Sequence, residues 1–586
     1  MYSFIPSIGE SFNARSTAIS DLCNGFIVSD HYSQICSSDH LIMVGPRGSG
    51  KTTLLRMLEL QSLDYWQGDN SDFYRENIKF SGVFIPTDRF WKTQYDRVEK
   101  CEYFIESKKY LEALFIYHIL ECFCNVVSYR ANRIQKKNNK YRHVELPKNE
   151  EVELVNTLSD YWCVSPLIPT LKGLIIALTL KKSELSDYIS KTFNGVYIEK
   201  PVILNVNITD MICNSVSIVN TLFDESNEKW AFLFDELELA PNDLIQPLVD
   251  AMRGGGNKDV IFKLALSPYH EGVKVTRNPD SAMKDQDIKF VDLTGNGDQF
   301  IFAEQLCSGV FRRKGLTKDV GLYFESPTEI DINIDVNELI KKDQSFNEYL
   351  NKVIGTFSSY QDLDPKNQAL LRKIKFITHL RNHLKGSKNK IKARRRPADF
   401  YAGFKNICKA VEYNPRMLIG IMNVFSSIAK ANNTISINDQ INKLDEYFSS
   451  FRALLSTIDL NGKGLAFRNI YELVEHLSKF YKSEIYSEEF KDKPKGSFLM
   501  RSQENVDIRS AVGLALNSGA LITVGSNLGT FYSAETEGDL RFRVSYLFSH
   551  HFNLLLTLQK EVELSYVLCS TSNLGKSQEQ LRIDGL

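Results

Sequence analysis

At 586 residues the chain is longer than one hydrophobic core ordinarily organises, so several structural units are expected. Its apolar share of 43% and aromatic share of 11% exclude a disordered polyelectrolyte. With 71 basic against 72 acidic residues it has no general excess of positive charge, so any nucleic-acid surface must be local.

The N-terminal stretch carries no basic region followed by an apolar core, which argues against a secretory signal. Residues 11–40 read as a helix and a connection. Within them, Ser11–Arg15 has two readings: a segment that folds over an adenine, as happens in P-loop proteins of this shape, or plain packing. Leu41–Val44 then forms an apolar strand running into Gly45, Pro46, Arg47, Gly48, Ser49, Gly50, Lys51, Thr52 and Thr53, followed by the amphipathic Leu54–Leu58. This is G-x-x-x-x-G-K-[ST] between a strand and a helix, the setting in which the pattern means a phosphate cradle. Glycines let backbone N–H groups turn inward where a Cβ would obstruct them, and the helix dipole adds positive potential. Lys51 is placed to reach the β- and γ-phosphates and Thr52 to ligate Mg²⁺. A glycine-rich turn that binds nothing would not need strand, loop, Lys-Thr and helix in register.

Lys79–Thr87 reads as a buried strand closed by Pro86, and about 100–195 as mostly helical. The clearest helix is Tyr110–Lys137. Its basic end (Arg130, Arg133, Lys136, Lys137, Lys140, Arg142) reads by default as a solvated face. Ser165–Leu180 is the most apolar run. Two prolines and Lys172 interrupt it, so it is expected as a buried helix and no membrane span. Ten scattered cysteines, with no second pair at zinc spacing beside Cys122 and Cys124, read as core thiols of a cytoplasmic protein.

Pro201–Asn207 reads as a strand or an extended lead into a helix over 208–223. Lys229–Phe234 is a buried strand that delivers Asp235 and Glu236 at its carboxyl end, where open α/β sheets bind ligands. One carboxylate, Asp235, suits the metal. The second, Glu236, stays off it and deprotonates the attacking water. Glu238 and Asp243 read as solvated acids. Pro241–Met252 is a helix, Val260–Leu266 a strand ending at Ser267, and Phe290–Leu293 a fifth strand. Ser267 is placed to touch the γ-phosphate or the lytic water. The alternation predicts a parallel sheet covered on both faces.

Gln299–Arg313 reads as a helix and 314–365 as a polar insertion. Residues 366–396 hold many Lys and Arg and no acid, ending in Lys388, Lys390, Lys392, Arg394, Arg395 and Arg396. This is a candidate surface for nucleic acid or an acidic partner. Asn414-Pro415-Arg416 opens a helix. Ile508–Asn517, Gly519–Val524 and Leu540–Leu547 have the helix, strand and strand rhythm of a winged helix, with Arg509 as its base-reading candidate.

Gly45–Thr52, Asp235-Glu236, Ser267 and Asn414–Arg416, in that order, resemble an AAA+ ATPase of the origin-recognition or initiator-like clade. Phe234–Pro241 and Lys263–Tyr269 also resemble bacterial initiator-like ATPases of anti-phage defence operons. The resemblance implies ATP and Mg²⁺ as cofactors, Ser267 as sensor 1 and Arg416 as sensor 2. It implies an arginine finger from a neighbouring protomer, with Arg253 and Arg277 favoured over Arg312 or Arg313. The fold class it implies is α/β: an AAA+ parallel-sheet P-loop core with a helical insertion, a helical lid and a C-terminal winged-helix-like domain. The corresponding divisions are an N-terminal segment 1–40, a core 41–295 with its insertion at about 100–195, a lid 296–450 with a basic insertion at about 314–396, and a C-terminal domain 460–586.

The absence of a Leu-Ser-Gly-Gly-Gln signature argues against an ABC-type ATPase. Three roles remain open: an oligomeric sensor or motor that controls an effector protein encoded nearby, an initiator or loader that binds DNA or RNA, and a nucleotide-switched scaffold with negligible hydrolysis.

Overall fold

The structure, a computed structural model, describes residues 14–87, 91, 93, 95, 104–131, 141–193, 201–202, 207–237, 240, 242–253, 258–270, 288–294, 299–327, 329–355, 360, 363–385, 398–461, 465–525 and 538–570. Its contacts divide the chain into two units. One comprises 13–45 and 50–293, the other 1–12, 46–49 and 294–586.

Among the described residues, the first unit holds a five-stranded sheet of β1 (His40–Val44), β2 (Ser81–Pro86), β3 (Trp230–Asp235), β4 (Val260–Leu266) and β5 (Ile288–Asp292), in the order β2-β3-β4-β1-β5. Every pairing is parallel, with Leu41 opposite Lys263 and Pro86 opposite Asp235. All residues of β3 and β4 are buried, which is why both are apolar on both faces and do not alternate, apart from Lys263 within β4 and Asp235 at the end of β3.

Helix Phe104–Ala131 lies on this sheet, with Phe123 packed 4.9 Å from Trp230 and 5.7 Å from Phe232. The stretch expected as an insertion therefore supplies one of the covering layers. By length and composition Lys108–Ala131 could cross a membrane, but 67% of its most apolar window is buried, the mark of a core helix.

The basic end of that helix is not a solvated face where it is described. Arg130 is buried, grips both Glu225 oxygens at 2.7 Å, and stands 5.1 Å over the Trp230 ring. Arg142 pairs with Glu228 and donates to the Ile78 carbonyl. Both cations tie the helical layer to the turn before β3. Asp243 is likewise paired, with Lys108 at 2.8 Å, rather than simply solvated. The apolar run 165–180 also differs from expectation. Helix begins only at Leu171, and Leu167, Ile168, Ile176 and Leu180 are exposed.

In the second unit the polar stretch after Gln299–Arg313 is helical. Ile332–Lys342, Gln344–Val353 and Pro365–Leu384 follow one another, each N-capped by an aspartate: Asp331, Asp343 and Asp364. The basic stripe is accordingly not one solvent face. Arg381 and Lys385 are buried, and both pair with buried Asp343. The run Lys388–Arg396 lies outside the described residues.

Downstream, the second unit's described strands β6 (Lys495–Met500), β7 (Leu521–Val524), β8 (Leu540–Val544) and β9 (Lys560–Glu563) form a four-stranded sheet in the order β7-β8-β6-β9. Helix Val506–Ser518 precedes β7. Its Arg509 is buried and donates to the Ser502 carbonyl at 2.8 Å, so it is not a base-reading side chain.

Candidate nucleotide-binding and catalytic site

Three strands of the first unit deliver its site residues at their carboxyl ends. β1 runs into Gly45, whose N–H donates to the Leu266 carbonyl at 3.2 Å. Gly50 has a φ of +97°, in the left-handed region that favours glycine, and starts helix Lys51–Arg56. That helix is shorter than its amphipathic pattern suggests. It stops at Met57, and a second helix begins at Leu60.

Lys51 is buried and its ammonium donates to the Gly45 carbonyl at 2.5 Å, folded back over the cradle it would share with a phosphate. Thr52 and Thr53 are half-buried. The Thr52 hydroxyl donates to Asp235 Oδ2 at 2.8 Å. A hydroxyl and a buried carboxylate brought together at a helix start and a strand end are two hard oxygen donors, the chemistry that suits Mg²⁺.

Glu236 follows directly with a φ of +53°, an uncommon conformation for a side chain of its size. Its carboxylate meets Arg15 at 3.2 Å, and the side chain remains partly exposed. Ser267 follows β4 and is buried. Arg253 is half-buried at the turn after helix Asn242–Ala251. Arg277, the other favoured finger, lies outside the described residues, as do Glu238 and Ser11–Asn13.

The loop's tip, Pro46–Ser49, clusters with the second unit and is best understood there. Asn414 caps helix Pro415–Asn432 by accepting from the Arg416 and Met417 N–H groups, while its own amide donates to the Arg47 carbonyl at 3.1 Å. The Arg416 N–H also reaches the Gly48 carbonyl at 3.3 Å, and the Arg47 N–H donates to the Asn517 carbonyl at 3.0 Å. Gly48 has a φ of +85°, and a Cβ there would meet Asn414 Oδ1 at 2.8 Å, so both conformation and space require glycine. The turn leading to Asn414 has two consecutive left-handed residues, Glu412 and Tyr413. Glu412 is held by both Arg543 guanidinium nitrogens, at 2.6 and 2.7 Å. The Arg416 side chain is exposed. Arg312 and Arg313 are exposed at the end of their helix.

A family model described as ORC-CDC6-like matches residues 7–564, nearly the whole chain. The chain belongs to the ORC-CDC6-like family. The all-parallel five-stranded sheet with its helical layers is the α/β AAA+ core of that initiator-type family, and a family of this type implies nucleotide binding. A search of curated proteins found no match.

Sequence reasoning placed Arg15 only in the Ser11–Arg15 segment, without its partner, and gave Thr87 no role. Arg15 pairs with Glu236 at 3.2 Å, and Thr87, beside the end of β3, is fully buried. For Thr87 there was a signal: it closes an apolar strand, as Ser267 does.

Proposed function

We propose that this chain is an Mg²⁺-dependent, ATP-hydrolysing AAA+ ATPase that works as an oligomer. The observation that carries this reading is the 2.8 Å approach of the Thr52 hydroxyl to Asp235, with Glu236 next in the chain and partly exposed. Thr52 and Asp235 would hold the metal, which when bound offsets charge on the phosphate oxygens. Lys51 exchanges the Gly45 carbonyl for a phosphate. Glu236 accepts the proton of the attacking water, and Ser267 orients that water or the γ-phosphate. Arg416, carried by the helix that Asn414 caps, adds a cation, and Arg253 or Arg277 of a neighbouring protomer completes the site. In cells the ATPase would serve as the sensor or motor subunit of a bacterial anti-phage system and control an effector encoded nearby. The support for that role is the resemblance of Phe234–Pro241 and Lys263–Tyr269 to such proteins.

Phosphate release from MgATP tests the chemistry. Glu236→Gln should lower turnover by about 10²–10⁴-fold, the worth of a positioned general base, while ATP still binds. A variant that hydrolyses at the parent rate would remove Glu236 from the mechanism. Sizing the Glu236→Gln protein with ATP tests assembly, and a strict monomer contradicts it.

The match to ORC-CDC6-like proteins favours a second reading, an initiator or loader that grips DNA. Binding should then weaken steeply with salt as counterions are released. Charge reversal of Arg394, Arg395 and Arg396 that leaves DNA affinity unchanged excludes that surface.

A further inference from the structure

One contact of the first unit has no part in the roles assigned so far. Arg15 Nη1 donates both to Glu236 Oε2, at 3.2 Å, and to the carbonyl of Thr87, at 3.1 Å. Thr87 directly follows β2, and its N–H in turn donates to the Asp235 carbonyl at 3.1 Å. The sheet order is β2-β3-β4-β1-β5, so β2 and β1 lie on opposite sides of β3. One nitrogen that touches both the end of β2 and the Glu236 carboxylate therefore draws that carboxylate toward β2. The nucleotide loop leaves from β1, on the other side.

The turn that carries Arg15 is itself fastened. Arg56, buried in the helix that begins at Lys51, donates to the carbonyls of Ala14 at 2.5 Å and Thr17 at 2.7 Å. These two bonds bracket Arg15. The turn is thus tied at one end to the helix that follows the phosphate loop and at the other to the glutamate that follows β3.

We infer that Arg15 is a positioning residue that restrains Glu236 and sets a slow basal rate of hydrolysis. The inference rests on the reading of Glu236 as the general base. A base must present a carboxylate lone pair to the attacking water. While Arg15 donates to Oε2 and is anchored on Thr87, that oxygen is engaged on the side away from β1. Opening of the Arg15–Glu236 contact frees Oε2 and releases the carboxylate from the β2 side, which favours hydrolysis. The water proton then passes to the Glu236 carboxylate, and the hydroxide oxygen forms its bond to the γ-phosphorus as the bond to the β–γ bridging oxygen breaks. These contacts assign Arg15 to Glu236 and not to an adenine, so its effect is expected on turnover and not on nucleotide affinity.

The test is steady-state phosphate release by the full chain at saturating MgATP, with ATP affinity measured separately on each variant. Arg15→Ala should raise kcat by about two- to fivefold, the scale set by one partly exposed ion pair, and leave ATP affinity unchanged. Arg15→Lys, which keeps the charge but offers a more flexible donor, should fall between the two. If Arg15→Ala lowers the melting temperature, Arg15→Gln carries the test, since it keeps a donor for the Thr87 carbonyl and removes the charge facing Glu236. An unchanged or lowered kcat in the folded variant overturns the inference. Glu236→Gln separates this outcome from failure of the parent reading. Loss of turnover there, with Arg15→Ala at the parent rate, rejects the restraint alone; full turnover there rejects the role of Glu236.

Discussion

Strand β1 is bracketed by two buried lysines with opposite uses. Beyond its carboxyl end, Lys51 donates to the Gly45 carbonyl from a helix start. Before its amino end, the ammonium of Lys263 donates to the carbonyls of Ser37, at 2.7 Å, and Asp39, at 3.2 Å, and stands 5.1 Å over the Phe80 ring. Lys51 is bonded to a carbonyl of the glycine-rich loop, a partner that an anion can displace. Lys263 is fully buried inside the sheet, and its partners are the backbone turn that feeds β1. In the proposed reading the same side chain serves a ligand at one end of a strand and the fold at the other. A buried lysine becomes a functional residue through what its partner can exchange with, not through burial.

Substitutions at the two ends should separate these uses. The largest effect is expected from Lys51→Ala, which should weaken ATP binding by more than about 100-fold, the loss of a charged contact to phosphate. Its melting temperature without nucleotide should stay near that of the parent, and calorimetric titration with ATP reads the difference.

Next is Gly82→Ala. A Cβ at Gly82 of β2 would stand 2.0 Å from the Leu58 carbonyl, in the turn that ends the helix after the phosphate loop. Backbone must move to admit it, so stability should fall by about 1–3 kcal/mol in a denaturant titration, as overpacking does.

The smallest effect is a pH dependence at Lys263. Burial pushes its ammonium down to about 7. An unfolded lysine titrates near ~10.4, so between these values the unfolded chain binds the extra proton and stability rises with pH. Below about 7 both states are protonated and the penalty of the buried charge is fully present. From pH 7 to 9 the parent should gain about 1 kcal/mol or more relative to Lys263→Met, which has no such group. ATP affinity of Lys263→Met should match the parent. A fall in affinity like that of Lys51→Ala would erase the distinction between the two ends.

The three central strands were legible because β1, β3 and β4 are buried almost throughout and so are spelled as largely apolar runs. The phosphate loop was legible because its chemistry is local: nine consecutive residues hold the glycines, the lysine and the threonines. What could not be read was pairing at a distance. Arg130 looks like a solvated helix end until Glu225 meets it from 95 residues away. Arg381 looks like part of a basic stripe until buried Asp343 meets it across the unit. Arg15 and Glu236 are 221 residues apart, so no spacing rule joins them. Lys263 lay in plain view inside an apolar strand, but a charge in such a run gives no hint of which backbone carbonyls will receive it. Residues 165–170 misled in the other direction, because an apolar run reports a tendency to be buried and not the presence of a neighbour to bury it.

The most direct test of the carboxyl end of β1 as a metal–nucleotide site is ATP titration with and without Mg²⁺, on the parent and on Thr52→Ala. Mg²⁺ should tighten ATP binding in the parent. Thr52→Ala, which loses the hydroxyl 2.8 Å from Asp235, should still bind metal-free ATP but gain little from Mg²⁺. Equal affinity with and without the metal in the parent, or an unchanged metal effect in the variant, would contradict a metal site there.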